Sequence, residues 1–267
     1  MTVRFASFLG DNAFEFYRQV VDYLGAASGL PTEMIADTSP GLDALLSGGQ
    51  IEAVFGCGLP YVWKAAEPSP AVRLMAAPVL PAERYGDQPI YYSDVIVRAD
   101  SPYRVFEDLR GTTFAYNQTV SFSGYVLPLH HLLTLGATGG FFGAVVASGS
   151  HAVSMDWVES GRVAAAAIDS AVLEMELAQR PERARVFRVV ARLGPAGMPP
   201  LIASARLGDD ARESLTRALV DMHTTERGQA ILKQGGVRRF ARVTDRNYDD
   251  IRRILQALAE AGVSELR

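Results

Sequence analysis

The segment Thr113-Phe-Ala-Tyr-Asn-Gln-Thr-Val-Ser-Phe-Ser-Gly-Tyr125 contains a short strand pattern, a loop of small polar residues and the start of a helix. Its first four residues have the apolar character of a buried strand, and helical spacing runs from Tyr125 to Leu135. The first turn of a helix has unpaired N–H groups and a partial positive charge, and the hydroxyls of Ser121 and Ser123 add donors. The loop therefore predicts an anion-binding site, although serine and glycine also form ordinary helix caps.

Strand and helix patterns alternate on both sides of this loop. Apolar runs predict strands at Val3–Phe8, Thr32–Ala36, Ile51–Gly56, Val72–Val79, Tyr91–Arg98, Thr113–Tyr116, Phe142–Ala147, Val163–Ile168 and Val186–Val190. Helices are predicted at Phe14–Leu24 (ended by Gly25), Pro40–Leu46 (capped by Ser39), Pro60–Ala66, Val105–Leu109, Tyr125–Leu135, Ala152–Ser160, Ser170–Leu177, Asp209–Gln234 and Asp245–Ala261. The alternation favours an α/β fold in which mostly parallel sheets are covered by helices on both faces.

The chain divides into two predicted lobes. The second series of strands and helices is entered and left through extended segments, near Asp94–Val97 and Val186–Ala191. We therefore expect a discontinuous lobe 1 of residues 1–94 and 190–267, which includes the C-terminal helices. Lobe 2, residues 95–189, contains the serine-rich loop. Two crossing strands would form the hinge, with a cleft between the lobes. Residues 194–200, rich in glycine and proline, are predicted to be a rigid loop between strands.

Composition excludes several classes of protein. The 267 residues are 48% hydrophobic, which is ample for a large core, and the net charge of −4 argues against nucleic-acid binding. No run reaches the roughly 20 apolar residues of a membrane span, so membrane insertion is not expected. The one cysteine, Cys57, excludes an internal disulfide and argues against a cysteine metal cluster. No nucleotide-binding glycine loop or HExxH metal motif occurs, so neither cofactor nor metal is predicted.

Four further residues lie where a ligand could be contacted. His151 and Asp169 each follow a predicted strand and precede a helix, and the carboxyl ends of strands face the ligand crevice in open α/β sheets. Tyr91 begins the second block and Tyr61 follows the third strand, so both could offer a hydroxyl. Each also has an ordinary explanation, which is helix capping for the first two and packing for the tyrosines.

Together these segments resemble the phosphate/phosphonate-type periplasmic substrate-binding proteins of ABC transporters. The ordered matches are Pro89-Ile-Tyr-Tyr-Ser93, Val95-Ile-Val97, Asp100-Ser-Pro102, Asp108-Leu-Arg-Gly111, Thr113-Phe-Ala115, Ser121-Phe-Ser-Gly-Tyr125 with Pro128, Gly149-Ser-His151, Val158 with Gly161 and Val163, and Ala167-Ile-Asp-Ser170. No single piece is specific, but the ordered series is. The resemblance implies a two-lobed type II periplasmic-binding-protein fold with a two-strand hinge that closes on a ligand.

The resemblance also implies roles for individual residues and partners. The oxyanion of the ligand would be bound by Ser121, the backbone N–H of Phe122, and Ser123, with His151 in the cleft and Tyr91 on the hinge side. Donors at a helix start suit a tetrahedral oxyanion without a buried cation. The implied partners are a small anionic ligand and an ABC-transporter permease, and the implied protein is a periplasmic monomer. The N-terminal sequence does not have the pattern of a secretory signal, which indicates a trimmed mature form or a cytoplasmic protein.

The sequence departs from this family at places that concern the ligand. Phe122 stands where a third hydroxyl residue is typical. Of the two acids that face an ammonium group in the family, the place of one falls near Ala171, and the place of the other falls in the loop with Met198 and Pro199, which has no acid. Asp169 could partly substitute. These differences favour an oxyanion, or a small organic acid, other than an aminoalkylphosphonate.

The main hypothesis is a solute-binding protein without catalytic activity that captures a small oxyanion for uptake. Closure would bring the region of Tyr61 and Pro199 in lobe 1 to the anion-binding loop of lobe 2. Two alternatives stay open at this point. One is an enzyme on the same fold that uses His151 as a base, and the other is a cytoplasmic ligand-binding sensor.

Overall fold

The computed structural model describes residues 2–36, 38, 41–69, 71–137 and 139–266. The chain divides into two compact units, residues 1–90 with 197–248 (unit 1) and residues 91–196 with 249–267 (unit 2). Residues 249–267, which were predicted to belong to lobe 1, group here with unit 2, in which a C-terminal helix packs against the helix that follows the serine-rich loop. The predicted lobes and their hinge stay a prediction.

The strands are β1 Val3–Ser7, β2 Thr32–Met34, β3 Ala53–Phe55, β4 Val72–Val79, β5 Ile90–Arg98, β6 Thr113–Tyr116, β7 Ala144–Ala147, β8 Ala165–Asp169, β9 Phe187–Gly197, β10 Leu201–Ser204 and β11 Arg239–Arg242. The α-helices are α1 Phe14–Ser28, α2 Leu42–Ser47, α3 Gly58–Ala65, α4 Leu127–Thr134, α5 His151–Glu159, α6 Ser170–Gln179, α7 Asp209–Val220, α8 Glu226–Gln234 and α9 Asp249–Glu260. Ser39 and Pro40, predicted to begin α2, lie outside the described residues.

Each unit has one mixed sheet. In unit 1 the strand order is β11-β4-β10-β3-β1-β2, with β1 parallel to β2 and β3, and β10 antiparallel to β3 and β4. In unit 2 the order is β7-β6-β8-β5-β9, with β6 parallel to β7 and β8, and β5 antiparallel to β8. The expectation of mostly parallel sheets is therefore wrong in detail. Only strands linked by crossover helices are held parallel.

The core of unit 2 forms where α5 packs on β8. Residues 165–167 of β8 are three fully buried alanines, and their small side chains let the helix approach the sheet closely. Met155 and Val158 of α5 fill the space above them. This packing fixes α5, and with it the residue at its start, His151, relative to the sheet edge.

Two predicted boundaries are corrected, the end of α1 and the start of the loop before β10. Gly25 lies inside α1, which continues to Ser28 and ends at Gly29 with φ 73°. A Cβ on Gly25 would collide with Thr32 Oγ1, so this glycine lets β2 approach rather than ending the helix. The predicted rigid loop 194–200 is strand as far as Gly197.

The predicted helix Asp209–Gln234 is two helices, α7 and α8. Thr225 has an extended backbone (φ −110°, ψ 145°) that breaks the helical path. Its Oγ1 accepts a hydrogen bond from Gly228 N at 3.1 Å, so it caps α8 as a new helix.

Candidate functional site

Three helix starts follow three parallel strands at one edge of the unit 2 sheet. Strands β7, β6 and β8 are adjacent and parallel, so their carboxyl ends lie side by side. The connection after β6 contains the serine loop, defined here as residues 121–124. The connection after β7 contains the histidine loop, residues 148–151, and β8 ends at Asp169, which caps α6. Because helix starts carry unpaired N–H groups, this edge concentrates hydrogen-bond donors.

The serine loop begins a single π-helical turn, Phe122–Val126, that leads into α4. Ser121 caps this turn, because its Oγ accepts a hydrogen bond from Gly124 N at 3.0 Å. Its carbonyl oxygen accepts from the N–H groups of Tyr125 and Val126, both at 3.2 Å. The backbone N–H groups of Phe122 and Ser123 have no acceptor among the described residues. Two main-chain donors are therefore available beside two serine hydroxyls.

The serine and histidine loops meet through Ser123 and His151. Ser123 Oγ lies 3.2 Å from His151 Nε2 and 3.5 Å from Ser121 Oγ, so three polar side chains form a continuous row. Ser93 of β5 fixes the loop from below, since its Oγ donates to the Ser123 carbonyl oxygen at 2.8 Å. All four residues are buried. The donors are therefore held in place before any ligand arrives.

The histidine loop is tied to the strand before the serine loop. Gly149 N donates to the Asn117 carbonyl oxygen at 3.0 Å, and Ser148 N donates to the Tyr116 carbonyl oxygen at 2.8 Å. Gly149 has φ 92°, a conformation that favours glycine. Ser150 then caps α5 by accepting from Val153 N at 3.2 Å. These bonds determine where His151 begins its helix.

His151 is held in its neutral form. The side chain is 9% exposed, and burial lowers its pKa to about 4. Its Nδ1 is buried and has no hydrogen-bond partner among the described residues. A neutral imidazole has one N–H donor and one acceptor nitrogen. One ring nitrogen can therefore bond Ser123 Oγ while the other bonds a ligand. A buried nitrogen without a hydrogen-bond partner destabilises the folded state, so this position favours the binding of a ligand that supplies one.

Asp169 is a buried carboxyl at the same sheet edge. Burial, more than any other cause, raises its pKa to about 7, and the negative charges of Asp94 and Glu174 raise it further. The N–H groups of Ala171 and Val172 oppose this shift, and Ala171 N donates to Oδ1 at 2.8 Å. The carboxyl is therefore both a helix cap and a group that can hold or release a proton near neutral pH.

Asp169 is connected to the serine loop through the sheet. In the β5–β8 register it lies opposite Ser93, whose hydroxyl bonds the Ser123 carbonyl oxygen. The next residue, Ser170, accepts a hydrogen bond from Tyr92 N at 3.0 Å. Asp169 is therefore paired across the sheet with Ser93, the residue that holds the Ser123 carbonyl oxygen.

The predicted aromatic residues have different surroundings. Tyr91, in β5, is 1% exposed, and the Phe122 ring is fully buried, so Phe122 offers the site only its backbone N–H. Tyr61 belongs to unit 1, where its hydroxyl donates to Asp245 Oδ1 at 2.7 Å and its ring lies 5.0 Å from that of Tyr248. The structure therefore brings together Ser121, Phe122, Ser123 and His151, with Asp169 and Tyr91 on adjoining strands, and the role of Tyr61 stays a prediction.

Sequence reasoning missed Asn117 and Ser93 as parts of this arrangement. Asn117 was visible as the first residue after a strand, which is a signal for a site residue in α/β sheets. Ser93 gave no local signal, because it meets Ser123 only through the pairing of β5 with β8.

The contact between Ser123 and His151 is short enough for a nucleophile and its base, but the rest of that chemistry is missing. Such a pair needs a third group to orient the base, and His151 Nδ1 has none among the described residues. A base with a pKa of about 4 is also weak at neutral pH. The arrangement instead suits the binding of a tetrahedral oxyanion by neutral donors.

No cluster of three His, Cys, Asp or Glu side chains that could hold a metal ion exists in the part of the chain that the structure describes. Across the same residues, no helix has the length and apolar character needed to cross a membrane.

A family model matches residues 5–248 of the chain, and its description is "ABC transporter, phosphonate, periplasmic substrate-binding protein". No curated protein sequence matches the chain. Many solved structures share its fold.

Two of these structures are similar over almost the whole chain. One is a binding protein component of an ABC phosphonate transporter from Pseudomonas aeruginosa, at a TM-score of 0.82 and 16% identity, covering 100% of this chain and 89% of that one. The other is PhnD1 from Prochlorococcus marinus in complex with methylphosphonate, at a TM-score of 0.82 and 17% identity, covering 97% and 98% of the two chains.

A protein from Xanthomonas citri bound to ATP matches at a TM-score of 0.68 and 17% identity, covering 98% of each chain. At these identities the likeness concerns the fold. The predicted fold class, two α/β units of the type II periplasmic-binding-protein kind, is confirmed.

Proposed function

Because the chain belongs to the periplasmic substrate-binding proteins of phosphonate ABC transporters, we propose that unit 2 binds the oxyanion of a phosphonate-type ligand at the serine loop. The family consists of substrate-binding transport components and not of enzymes, so the main hypothesis from the sequence is confirmed and the enzyme alternative is not. The residues proposed for the oxyanion are Ser121, Ser123, the backbone N–H of Phe122, and His151.

One observation carries this assignment of residues. Ser123 Oγ and His151 Nε2 lie 3.2 Å apart, so the starts of two helices are joined at a point where both have unpaired N–H groups. An oxyanion placed there would receive main-chain and side-chain donors together. Hydrogen bonds to a charged acceptor contribute about 1.5–3 kcal/mol each, so a few of them support useful affinity.

A thermal-shift screen with isothermal titration calorimetry tests the proposal. The probes are methylphosphonate, inorganic phosphate, phosphite, methanesulfonate and acetate. Ligand at a hundredfold excess over its dissociation constant stabilises the folded state by about 2.7 kcal/mol. For a chain of this size that corresponds to a rise in melting temperature of roughly 5–10 °C. If none of the oxyanions raises the melting temperature, the proposal is wrong.

Matched variants locate the site. Ser123→Ala and His151→Ala should each lower the affinity for the best probe by at least about tenfold, since each removes a hydrogen bond to a charged group. The controls are Ser160→Ala and His223→Ala, which remove an exposed serine and an exposed histidine with local hydrogen bonds only. Equal effects of the site variants and the controls would move the binding site elsewhere.

The departures from the family pattern bear on the rest of the ligand. The loop with Met198 and Pro199 carries no acid, and Asp169 is a carboxyl whose burial favours the protonated form. We propose that methylphosphonate binds more tightly than 2-aminoethylphosphonate, because the Asp169 carboxyl is only partly ionised near neutral pH and so gives an ammonium group a weak partner. Calorimetry with the two ligands decides this, and tighter binding of the amine would overturn it.

We further propose that the chain works in the periplasm as a monomer that delivers its ligand to a permease. Membership of a periplasmic transport family supports the location and the existence of a transporter partner. Light scattering of the purified chain tests the monomer. Fractionation of cells that express the full gene tests the location, and a cytoplasmic protein would favour the sensor alternative.

A further inference from the structure

Asn117 lies between the two loops of the proposed site. It is the first residue after β6, and its carbonyl oxygen accepts the hydrogen bond from Gly149 N that anchors the histidine loop. Its backbone is therefore fixed at the same sheet edge as Ser121 and Ser123. This position alone would make Asn117 a structural residue, but its side chain has a second feature.

The side-chain amide of Asn117 is wedged against Gly124. A Cβ built on Gly124 would collide with Asn117 Oδ1, would lie 3.0 Å from Asn117 Cγ and would be 3.2 Å from Ser121 Oγ. The amide therefore occupies the space that any other residue at position 124 would fill, next to the first hydroxyl of the polar row. Only glycine permits this approach.

The two ends of the amide have different environments. Oδ1 is buried and has no hydrogen-bond partner among the described residues. Nδ2 is not among the buried atoms that lack a partner, and it donates to no described residue. The wedged oxygen thus fixes the amide plane while the NH₂ group stays accessible. An amide oriented by packing on one end presents its donors at low entropic cost.

We propose that Asn117 is a specificity-determining residue whose Nδ2 donates a hydrogen bond to the bound oxyanion, in place of the hydroxyl that Phe122 does not provide. The inference rests on the proposed function of the serine loop and extends it. A neutral amide adds a donor without adding a charge, as do the other groups of the row. Asn117 would also reject ligands that offer no acceptor at this corner.

The substitution Asn117→Asp tests the Nδ2 donor separately from the packing of Oδ1 against Gly124. Asp keeps an oxygen against Gly124 and the shape of the side chain, but it replaces the NH₂ donor by an anionic oxygen. The control is Thr119→Glu, which adds the same charge two residues away on an exposed side chain. We expect Asn117→Asp to weaken methylphosphonate binding in calorimetry by at least about tenfold more than the control does.

Three results are distinguishable. Equal losses for Asn117→Asp and Thr119→Glu would show that the added negative charge acts through long-range repulsion, and they would overturn the inference while leaving the proposed function intact. If Asn117→Asp does not fold, Asn117→Ala replaces it, and unchanged affinity in that variant would overturn the inference as well. If the parent chain binds neither methylphosphonate nor inorganic phosphate, the proposed function itself fails, and the role of Asn117 fails with it.

Discussion

Replacing Asp169 by Asn should stabilise unit 2 at neutral pH. Burial raises the pKa of this carboxyl from 3.8 to about 7. Between these values the unfolded chain releases the proton while the folded chain keeps it, so stability is lost as the pH rises from about 4 to about 7. A tenfold change in an acid constant corresponds to about 1.4 kcal/mol, so the full loss is about 4 kcal/mol. Asn retains the helix cap and has no charge to desolvate.

His151 gives the opposite dependence. Burial lowers its pKa from 6.5 to about 4, so the stability of the neutral folded form is lost as the pH falls from about 6.5 to about 4. The two slopes offset each other in the parent chain over that interval. In Asp169→Asn only the histidine slope remains. The variant should therefore gain about 1.4 kcal/mol over the parent for each pH unit between about 4 and 7.

Urea unfolding at several pH values measures this difference. The chain has two tryptophans, Trp63 in unit 1 and Trp157 in unit 2, so a Trp63→Phe background makes fluorescence report on unit 2. The control Glu182→Gln removes an exposed carboxylate, and it should change the free energy of unfolding by less than about 0.5 kcal/mol. A constant difference between Asp169→Asn and the parent across this pH range would refute the reasoning.

Three further outcomes are expected. Gly124→Ala should lower the free energy of unfolding by about 1–3 kcal/mol, because its Cβ displaces the Asn117 amide, whereas Gly139→Ala meets open space and should change little in the same urea assay. Arg183→Leu should cost about 1.5–3 kcal/mol, because the buried Glu176 loses this partner at 2.6 Å but keeps its ion pair with Arg180, and a loss under 1 kcal/mol by Trp157 fluorescence would contradict this. Methylphosphonate affinity should change little with salt concentration in calorimetry, because the proposed donors are uncharged. A steep salt dependence would indicate a cation in the site.

The sequence was sufficient to place the serine and histidine loops. Both follow apolar strands and precede helices, and in parallel sheets this pattern puts residues such as Ser123 and His151 at one edge. Their contact at 3.2 Å was consistent with that pattern. The π-helical turn after Ser121 was not predictable, since it differs from an α-helical turn only in which N–H groups reach the Ser121 carbonyl oxygen.

Long-range pairing explains the residues and strands that were missed. Ser93 and Ser123 are 30 residues apart and meet through sheet register, for which single-sequence patterns carry no information. Strand β11 reads Arg-Phe-Ala-Arg and buries only Phe240 fully, so its apolar signal is too weak to identify a strand. It exists because β4 offers a sheet edge with which it pairs.

A crystal structure of the chain grown with methylphosphonate tests the central claim most directly. The account predicts phosphonate oxygens within hydrogen-bond distance of the Ser121 and Ser123 hydroxyls, the N–H groups of Phe122 and Ser123, and His151. Methylphosphonate bound at saturation but held by other residues, with the serine loop free of ligand, would contradict it.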